Sequence, residues 1–276
     1  MYPAHFYGLF PAFPRNKTVF VAMSFDQQFD LRWNEVIEPA IQDIEIDGAP
    51  LKAVRVNSRI VGDSILTEIL SGIGTAQVIL ADISSIGTLD DRPVRNGNVM
   101  YEIGLAHATR LPEEVLLFRS DREQLLFDTA NVRVNNYAPD EDPVAARRQI
   151  TEAIITALKE VDLRRHLAVQ AVVKSLDVPS YTVLLLCTEK GYFDHPRTST
   201  MGEAMGAVSK ASAIQRLLTL GLLEMQPKSF TPEESKLASD TPINEIMPYV
   251  MTAFGHAVFR EMATRSLKNS RPDLFL

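Results

Sequence analysis

Apolar runs of strand length alternate with segments of helical periodicity between Thr18 and Leu167. Five runs are typical of strands, the last of them the weakest: TVFVAM (18–23), LKAVRV (51–56), QVILADI (77–83), EVLLFRS (114–120) and VRVNNY (132–137). Apolar residues recur every three or four positions in other segments, which predicts helices at 29–44, 63–73, 98–110 and 144–167. This alternation predicts an α/β fold, a flavodoxin-like sandwich in which helices cover a parallel sheet of strand order 2-1-3-4-5.

The strand order also predicts where a ligand would bind. In an open parallel sheet, ligands bind outside the carboxyl ends of the strands, where the strand order reverses. That point lies between the first and third strands, so the loops after Met23 and Ile83 are expected to line the site. The loop SSIGTLDDRPVRNG (84–97) is longer than most βα connections, as functional loops often are. It is interpreted as a lid, or as a phosphate contact made by its arginines.

The pattern changes after about residue 170. Helices are predicted at 180–193, 201–208 and 210–224, followed by a polar hairpin-like stretch at 226–244 and a strand with a final helix within 249–267. Three helices and a wing are typical of a winged helix-turn-helix domain. We therefore divide the chain into an N-terminal arm (1–16), an α/β domain (17–168) and a C-terminal winged-helix domain (169–276).

In a winged-helix domain that binds DNA, the third helix enters the major groove. The polar positions of the predicted third helix are the candidate nucleic-acid contacts: Lys210, Ser212, Gln215 and Arg216. Only two of these are basic, and the domain has about as many acidic as basic residues, whereas sequence-specific duplex binders usually present a positive face. Binding of a regulatory protein, or self-assembly, therefore stands beside nucleic-acid binding as an interpretation of this domain.

Composition narrows the class of protein. Hydrophobic residues make up 46% of the chain and charged residues 23%, which is typical of a globular protein and excludes a disordered or collagen-like chain. The net charge of -7 argues against general attraction to nucleic acid or to an anionic membrane. The single cysteine, Cys187, excludes an intrachain disulfide and fits a reducing cytoplasm. With no signal-peptide pattern and no long uncharged apolar run, we expect a cytoplasmic protein without a membrane partner.

One block of sequence combines residues that could carry chemistry. In NVMYEIGLAHA (98–108), Glu102 lies near the start of a predicted helix. Its small residues, Gly104, Ala106 and Ala108, would let that helix lie close to the sheet. Asp82 ends the third strand, and MSFD (23–26) ends the first. Two carboxylates and backbone donors are thus expected to meet at one edge of the sheet. No histidine pair or carboxylate cluster has metal-ligand spacing, so no metal is predicted.

These segments resemble a known superfamily. The order FVAMSFD, DSILTEILSGI, AQVILADIS, NVMYEIGLAHA is similar to that of nucleoside 2-deoxyribosyltransferase-like proteins and the related bacterial TIR-like nucleotide-binding proteins, over roughly residues 17 to 140. The resemblance implies that Glu102 attacks C1′ of the sugar or stabilises positive charge there. Asp82 would contact a sugar hydroxyl or the leaving base. The resemblance implies that Ser24, Phe25 and Asp26 line the sugar and base and that Asn98 and Tyr101 shape the pocket. Met23, Asp63 and Ser64 are further substrate candidates from their positions in the βα loops, although Asp63 or Ser64 is otherwise a helix cap.

The implied reaction is cleavage or transfer at an N-glycosidic bond, in which a carboxylate stabilises or traps the cationic sugar. NAD or a deoxynucleotide would be the substrate, without a further cofactor. Nicotinamide leaves NAD as a neutral molecule, whereas a purine or pyrimidine needs a proton, for which Asp82 is the candidate donor. Many superfamily members share active sites between subunits, so a homo-oligomer is expected.

The succession of an α/β domain and a winged-helix domain in one chain resembles that in the effector proteins of some retron anti-phage systems. This resemblance implies a regulated defence effector. Two alternatives stay open. One is a salvage deoxyribosyltransferase that is active without its second domain. The other is a non-catalytic nucleotide sensor that acts through the winged helix.

Among single residues, Trp33 and Cys187 are predicted to lie in the core, and His107 is interpreted as a structural histidine.

Overall fold

The computed structural model describes residues 15–56, 65–90, 92–123, 132–190, 201–225 and 249–270. Contacts divide the chain into two compact units, Met1–Arg164 and Arg165–Leu276. The boundary falls within a long helix, and each unit has its own sheet. Most of the predicted N-terminal arm lies outside the described residues.

The first unit contains a five-stranded parallel sheet of order β4-β1-β5-β8-β9. Its strands are β1 (Thr18–Ala22), β4 (Lys52–Val54), β5 (Val78–Asp82), β8 (Val115–Arg119) and β9 (Val134–Asn136). Taken along the chain, these strands stand in the order 2-1-3-4-5, so the predicted α/β class and strand order are confirmed. Two antiparallel hairpins lie outside this sheet: β2 with β3 (Glu45–Ile46, Ala49–Pro50) and β6 with β7 (Gly87–Leu89, Arg92–Val94).

Helices cover the two faces of the sheet. A π-helical turn (Arg32–Ile37) leads into α1 (Glu38–Gln42), and the remaining helices are α2 (Ile65–Thr75), α3 (Gly97–Thr109) and α4 (Pro143–Ser175). Alternate strand residues point to opposite faces and form two core clusters. Val21 and Leu80 belong to the cluster that contains Trp33 and Ile150, whereas Phe20 packs in the other. Trp33 is buried, as predicted.

The loop after β5 differs from its prediction, because it contains the hairpin β6–β7. Neither strand shows a run of apolar residues, since Gly87–Leu89 contains Gly and Thr, and Arg92–Val94 contains Arg and Pro; all three residues of the first strand are exposed. The chain reverses at Asp90, whose φ of 49° is a left-handed conformation that aspartate tolerates in turns. The periodicity of three-residue strands is too short to be recognised in a sequence.

A buried arginine joins three elements of the first unit. Arg110, directly after α3, is 1% exposed and donates to the carbonyls of Ile73, Ala76 and Gln77 at the end of α2. Its Nε lies 2.9 Å from Oε2 of Glu114, which is equally buried. Burial alone would raise the pKa of Glu114, but the hydrogen bond and charge of Arg110 hold it below its ordinary value. Arg110 therefore closes the carboxyl end of α2 and fixes the approach to β8.

The second unit combines helices with a small antiparallel sheet. After α4 come α5 (Val178–Lys190), α6 (Met201–Thr219), β10 (Leu223–Met225), β11 (Tyr249–Met251) and α7 (Ala253–Ser270), and β10 pairs with β11. α5 packs against α6, α7 and β11, and Cys187 on α5 is buried as predicted. The rings of Tyr181 and Phe259 stack with centroids 5.9 Å apart.

The prediction of separate helices at 201–208 and 210–224 is wrong, because both segments belong to α6. Nothing between them breaks a helix, since Ser209 and Lys210 tolerate helical backbone. The helix ends instead before Gly221, whose φ of 69° supplies the left-handed conformation that closes many helices. The predicted polar hairpin at 226–244 lies outside the described residues.

Gly255 is expected to be indispensable to the second unit. A Cβ at this position would overlap the backbone carbonyl oxygen of Leu222. Because backbone atoms cannot rotate away, Gly255→Ala should destabilise this unit by about 2–4 kcal/mol. Thermal unfolding of the full chain, followed by circular dichroism, measures the effect. Gly206→Ala on α6, where a Cβ meets open space, is the matched control and should not lower the melting temperature.

No single helix in the described part of the chain is long and apolar enough to cross a membrane. Pro143–Ser175 and Val178–Thr188 reach that length and composition only together, as a pair bent by 119°.

Candidate functional site

The carboxyl edge of the sheet brings the loop after β1 to the start of α3. Asn96 caps α3, since its Oδ1 accepts from the backbone N–H groups of Asn98 and Val99 at 3.0 and 3.3 Å. Its Nδ2 donates to the hydroxyl of the buried Ser24 at 3.2 Å. The backbone N–H of Asp26 donates to the same hydroxyl, also at 3.2 Å. Asn96 thus fixes the helix that carries Glu102 to the loop predicted to line the substrate.

Glu102 lies in the second turn of α3 and is half-buried. No hydrogen bond or ion pair reaches its carboxyl group from any residue that the structure describes. Burial raises the pKa of this group from 4.5 to about 7. The side chain is therefore poised between its ionised and neutral forms near neutral pH, and its oxygens are unoccupied. Such a partly buried carboxyl group with a raised pKa is a candidate for chemistry.

Asp82, by contrast, is surrounded by donors. Its Oδ1 accepts from the backbone N–H and the hydroxyl of Ser84, at 2.9 and 2.5 Å. Its Oδ2 accepts from the hydroxyl of Tyr137 at 2.8 Å and faces the guanidinium of Arg32 at 3.4 Å. Asp82 is 4% exposed. With both oxygens occupied, it is suited to holding the strand end and its neighbours in place rather than to donating a proton.

Arg32 and Tyr137 extend this network, and neither was predicted from the sequence. Arg32 joins Asp82 to Asp140, whose carboxylate it contacts at 3.0 and 2.5 Å. Burial and the charge of Asp82 raise the pKa of Tyr137 well above its ordinary value, so its phenol stays protonated and donates to Asp82. Both residues come from distant segments, the π-helical turn and the end of β9, and only the fold brings them together. No contact joins Glu102 to Asp82 within the described residues.

The other predicted substrate residues take different positions at this edge. Met23 is buried, and the Asp26 carboxylate caps a short 3₁₀ turn (Gln27–Phe29) by accepting from Gln28. Asn98 is exposed in the first turn of α3, and Tyr101 is 56% exposed beside Glu102. Both are free to meet a ligand. Asp63 and Ser64 lie outside the described residues. His107 lies further along α3. Burial lowers the pKa of its imidazole and so favours the neutral form.

Phe25 is 46% exposed and belongs to a stack with two residues of neighbouring elements. The guanidinium of Arg55, just beyond β4, lies 4.6 Å from the Phe25 ring centroid and 4.3 Å from that of Trp33. Nothing in the sequence marked Arg55, since it follows a strand as an isolated charge.

The hairpin β6–β7 is fastened at its base. Both terminal nitrogens of Arg95 contact the carboxylate of Asp121, at 2.5 and 2.7 Å, and one also donates to the Ile83 carbonyl. Asp121 in turn accepts from the backbone N–H of Ser85 at 2.9 Å. Arg95 is therefore occupied in holding the loop, which argues against the interpretation that it binds a phosphate.

A cleft of about 960 Å³ lies away from this edge. It is lined by α3, β8, β9 and α4, for example by His107, Phe118, Asn135 and Glu152. Neither Glu102 nor Asp82 lines it. Its size does not identify it as the reactive site, because the residues of the predicted chemistry lie elsewhere.

The four candidate nucleic-acid contacts are all exposed on α6: Lys210, Ser212, Gln215 and Arg216. Arg216 already has partners, because it pairs with Asp177 at 3.1 Å and donates to the Ser175 carbonyl. It thereby joins α6 to the start of α5. Lys210 is then the one basic member of this set that has no contact of that kind in the described residues.

The raised pKa of Glu102 leads to a prediction about stability. The folded state holds a proton on Glu102 up to about pH 7, whereas the unfolded chain releases it near 4.5. Stability attributable to this group is therefore complete below pH 4.5 and falls as pH rises through 7. Glu102→Gln should raise the free energy of unfolding by about 1–2 kcal/mol at pH 8, after allowance for solvent screening, and by nothing near pH 4.5. Urea titrations of both proteins at the two pH values measure this; an equal gain at both would contradict it.

No family model matches the chain, and no curated protein matches it. Among solved structures, the chain is similar to the metal-soaked Flv1 flavodiiron core from Synechocystis sp. PCC6803, with 12% sequence identity and a TM-score of 0.34. The match covers 53% of this chain and 36% of that one, so the chain spans little more than a third of that structure. This similarity is too low to support an argument. Within the described residues, no group of three or more histidine, cysteine, aspartate or glutamate side chains is placed to hold a metal ion.

Proposed function

We propose that the first unit cleaves the N-glycosidic bond of a nucleotide, with Glu102 as the nucleophile or as the carboxylate that stabilises the cationic sugar. The observation that carries this proposal is the half-buried Glu102 carboxyl group, which lacks a partner among the described residues and has a pKa of about 7. A carboxylate in this setting is less solvated than in water and interacts strongly with a positive charge that develops at C1′.

The surroundings of Asp82 bear on the leaving group. A neutral nucleoside needs an acid to protonate its base, whereas the nicotinamide of NAD departs without one. Because Asp82 accepts from Ser84 and Tyr137 and faces Arg32, it is not placed to supply that proton. We therefore favour a substrate with a cationic leaving group, of which NAD is the leading case. In this proposal Asp82 is a positioning residue for the edge of the sheet.

For the second unit we propose a winged-helix domain that regulates the first. Support comes from the antiparallel pair β10–β11, which follows the helices α5 and α6 as a wing follows the helices of such a domain. The exposed face of α6 would meet a nucleic acid or a regulatory protein. A chain that joins a nucleotide-cleaving unit to such a domain fits a defence effector that is held silent until released, and we propose that it acts as a homo-oligomer.

The test is a chromatographic assay for released base. Purified full-length protein is incubated with NAD, with deoxynucleoside monophosphates and with nucleosides. We expect nicotinamide release from NAD that exceeds base release from any nucleoside. Base exchange between nucleosides would favour salvage instead. Tight ligand binding without turnover, in purified protein and in extract with co-expressed neighbouring proteins, would contradict an enzymatic function and support a sensor.

A further inference from the structure

Arg55 combines a fixed position with unused hydrogen-bonding capacity. Its guanidinium carbon lies over two aromatic rings, 4.6 Å from the centroid of Phe25 and 4.3 Å from that of Trp33. Trp33 is buried in the core, so one side of the stack is immobile. Stacking of this kind holds the plane of a guanidinium while its N–H groups still point outward within that plane.

One of those N–H groups, at Nη1, lacks an acceptor among the described residues. Nη1 of Arg55 is buried and has no hydrogen-bond partner, and no ion pair to Arg55 is found within the described residues. Burial lowers the pKa of Arg55, and the carboxylates of Asp30 and Glu38 act against that shift from a distance. Neither acid lies within ion-pair range. A buried cationic donor without an acceptor calls for an explanation, and an incoming anionic group is the simplest.

The position of Arg55 places it at the predicted site. β4 pairs with β1 in parallel, with Val54 beside Phe20, so the next residues of both strands leave the sheet at the same edge. Phe25 belongs to the loop after β1, and the neighbouring Ser24 is bonded to Asn96 at the start of the helix that carries Glu102. Arg55 therefore reaches the same edge of the sheet as Glu102, from the opposite side of β1.

We infer that Arg55 binds a phosphate of the substrate and makes the site selective for phosphorylated nucleotides over nucleosides. The inference rests on the proposed function, because it assigns the substrate class of that site. A phosphate offers acceptors in the geometry that a planar guanidinium matches with two parallel N–H bonds. Arg95 is excluded from this role by its contacts with Asp121, and of the arginines that the structure describes at this edge, Arg55 is the one with a buried donor that has no partner.

The experiment measures binding, so that it does not depend on turnover. Isothermal titration calorimetry compares NAD, deoxyadenosine monophosphate, deoxyadenosine and inorganic phosphate on full-length protein carrying Glu102→Gln. The same ligands are then titrated into this protein with Arg55→Met, Arg55→Lys or Lys52→Met added. Lys52, an exposed residue of β4, is the matched control for removing a positive charge.

We expect Arg55→Met to weaken binding of NAD and of the monophosphate about 10–100-fold, and to leave deoxyadenosine binding unchanged. The affinity of the Arg55→Lys protein for the phosphorylated ligands should lie between those of the parent protein and of Arg55→Met, because an ammonium keeps the charge without the planar geometry of the guanidinium. Lys52→Met should bind as the parent protein does. Equal weakening for deoxyadenosine and its monophosphate, or no weakening for either phosphorylated ligand, would overturn the inference.

The melting temperature of each variant and base release by the wild type distinguish a loss of fold, a failure of the phosphate site and a failure of the proposed enzyme. The melting temperature of each variant identifies a loss of fold, and Arg55→Lys then replaces Arg55→Met as the test. Selective binding of phosphorylated ligands through Arg55, without base release by the wild type in purified form or in extract with co-expressed neighbouring proteins, would refute the proposed enzyme and retain the phosphate site. Base release by the wild type, with no role for Arg55 in binding, would support the proposed enzyme and refute the phosphate site.

Discussion

Glu102→Gln is expected to lower base release from the nucleotide substrate at least about 10³-fold, with little change in substrate binding. An amide keeps the size of the side chain, but it can neither attack C1′ nor offset positive charge on the sugar. An interaction that matters only in the transition state is lost in kcat rather than in KM. Initial rates across a range of substrate concentrations separate the two constants. Glu152→Gln, an exposed residue of α4, is the matched control and should retain wild-type rates.

The dependence of the reaction rate on pH shows which protonation state of Glu102 is active. Glu102 acts in its ionised form, and burial raises its pKa to about 7. The rate at low substrate concentration should therefore rise tenfold per pH unit below about pH 7 and level off above it. A rate that falls through the same range would show that the protonated form is needed, which would make Glu102 an acid and contradict its role as nucleophile. A Glu102→Gln protein with full activity would exclude both roles.

The sequence allowed Glu102 to be predicted because the evidence was local. A carboxylate early in a helix that follows the third strand must lie near the carboxyl edge of the sheet. The same reasoning located Ser24 and Asp82. It did not anticipate that Asp82 would be enclosed by Tyr137 and Arg32, because those contacts join residues 55 and 50 positions apart. Arg55 escaped notice for the same reason, since its stack depends on the packing of β4 against the helix that carries Trp33.

The fold was predictable where periodicity was long. Buried strands such as β5, all five of whose residues are buried, stand out as apolar runs, and alternation with helices then fixes parallel pairing. Prediction failed where local signals were weak or ambiguous. The hairpin β6–β7 is short and exposed, and the break predicted near Ser209 relied on a shift in composition rather than on a residue that ends helices.

Removal of the Arg110 side chain should cause the largest loss of stability in the first unit. Arg110→Ala leaves the Glu114 carboxylate buried without its nearest cation and exposes three carbonyls at the end of α2 to an empty cavity. Breaking a buried ion pair from one side costs about 3–5 kcal/mol. Trp33, the single tryptophan of the chain, lies in the core of this unit, so its fluorescence during urea titration reports the effect there. A loss below about 1 kcal/mol would contradict the buried pairing.

A double variant separates the cost of an unpaired charge from the value of the pair itself. In Arg110→Met with Glu114→Leu, neither charge of this pair remains, and both replacements fill most of the original volume. Arg15, whose Nη2 lies 3.3 Å from Oε1 of Glu114, loses that contact. We expect this protein to be more stable than Arg110→Ala, because a buried ion pair is expensive to break but often close to neutral when replaced entirely. Recovery should be incomplete, since the carbonyls of Ile73, Ala76 and Gln77 also lose their donor. Arg15, which donates to the Gly74 carbonyl at 2.8 Å and the Ala76 carbonyl at 3.3 Å, limits that loss.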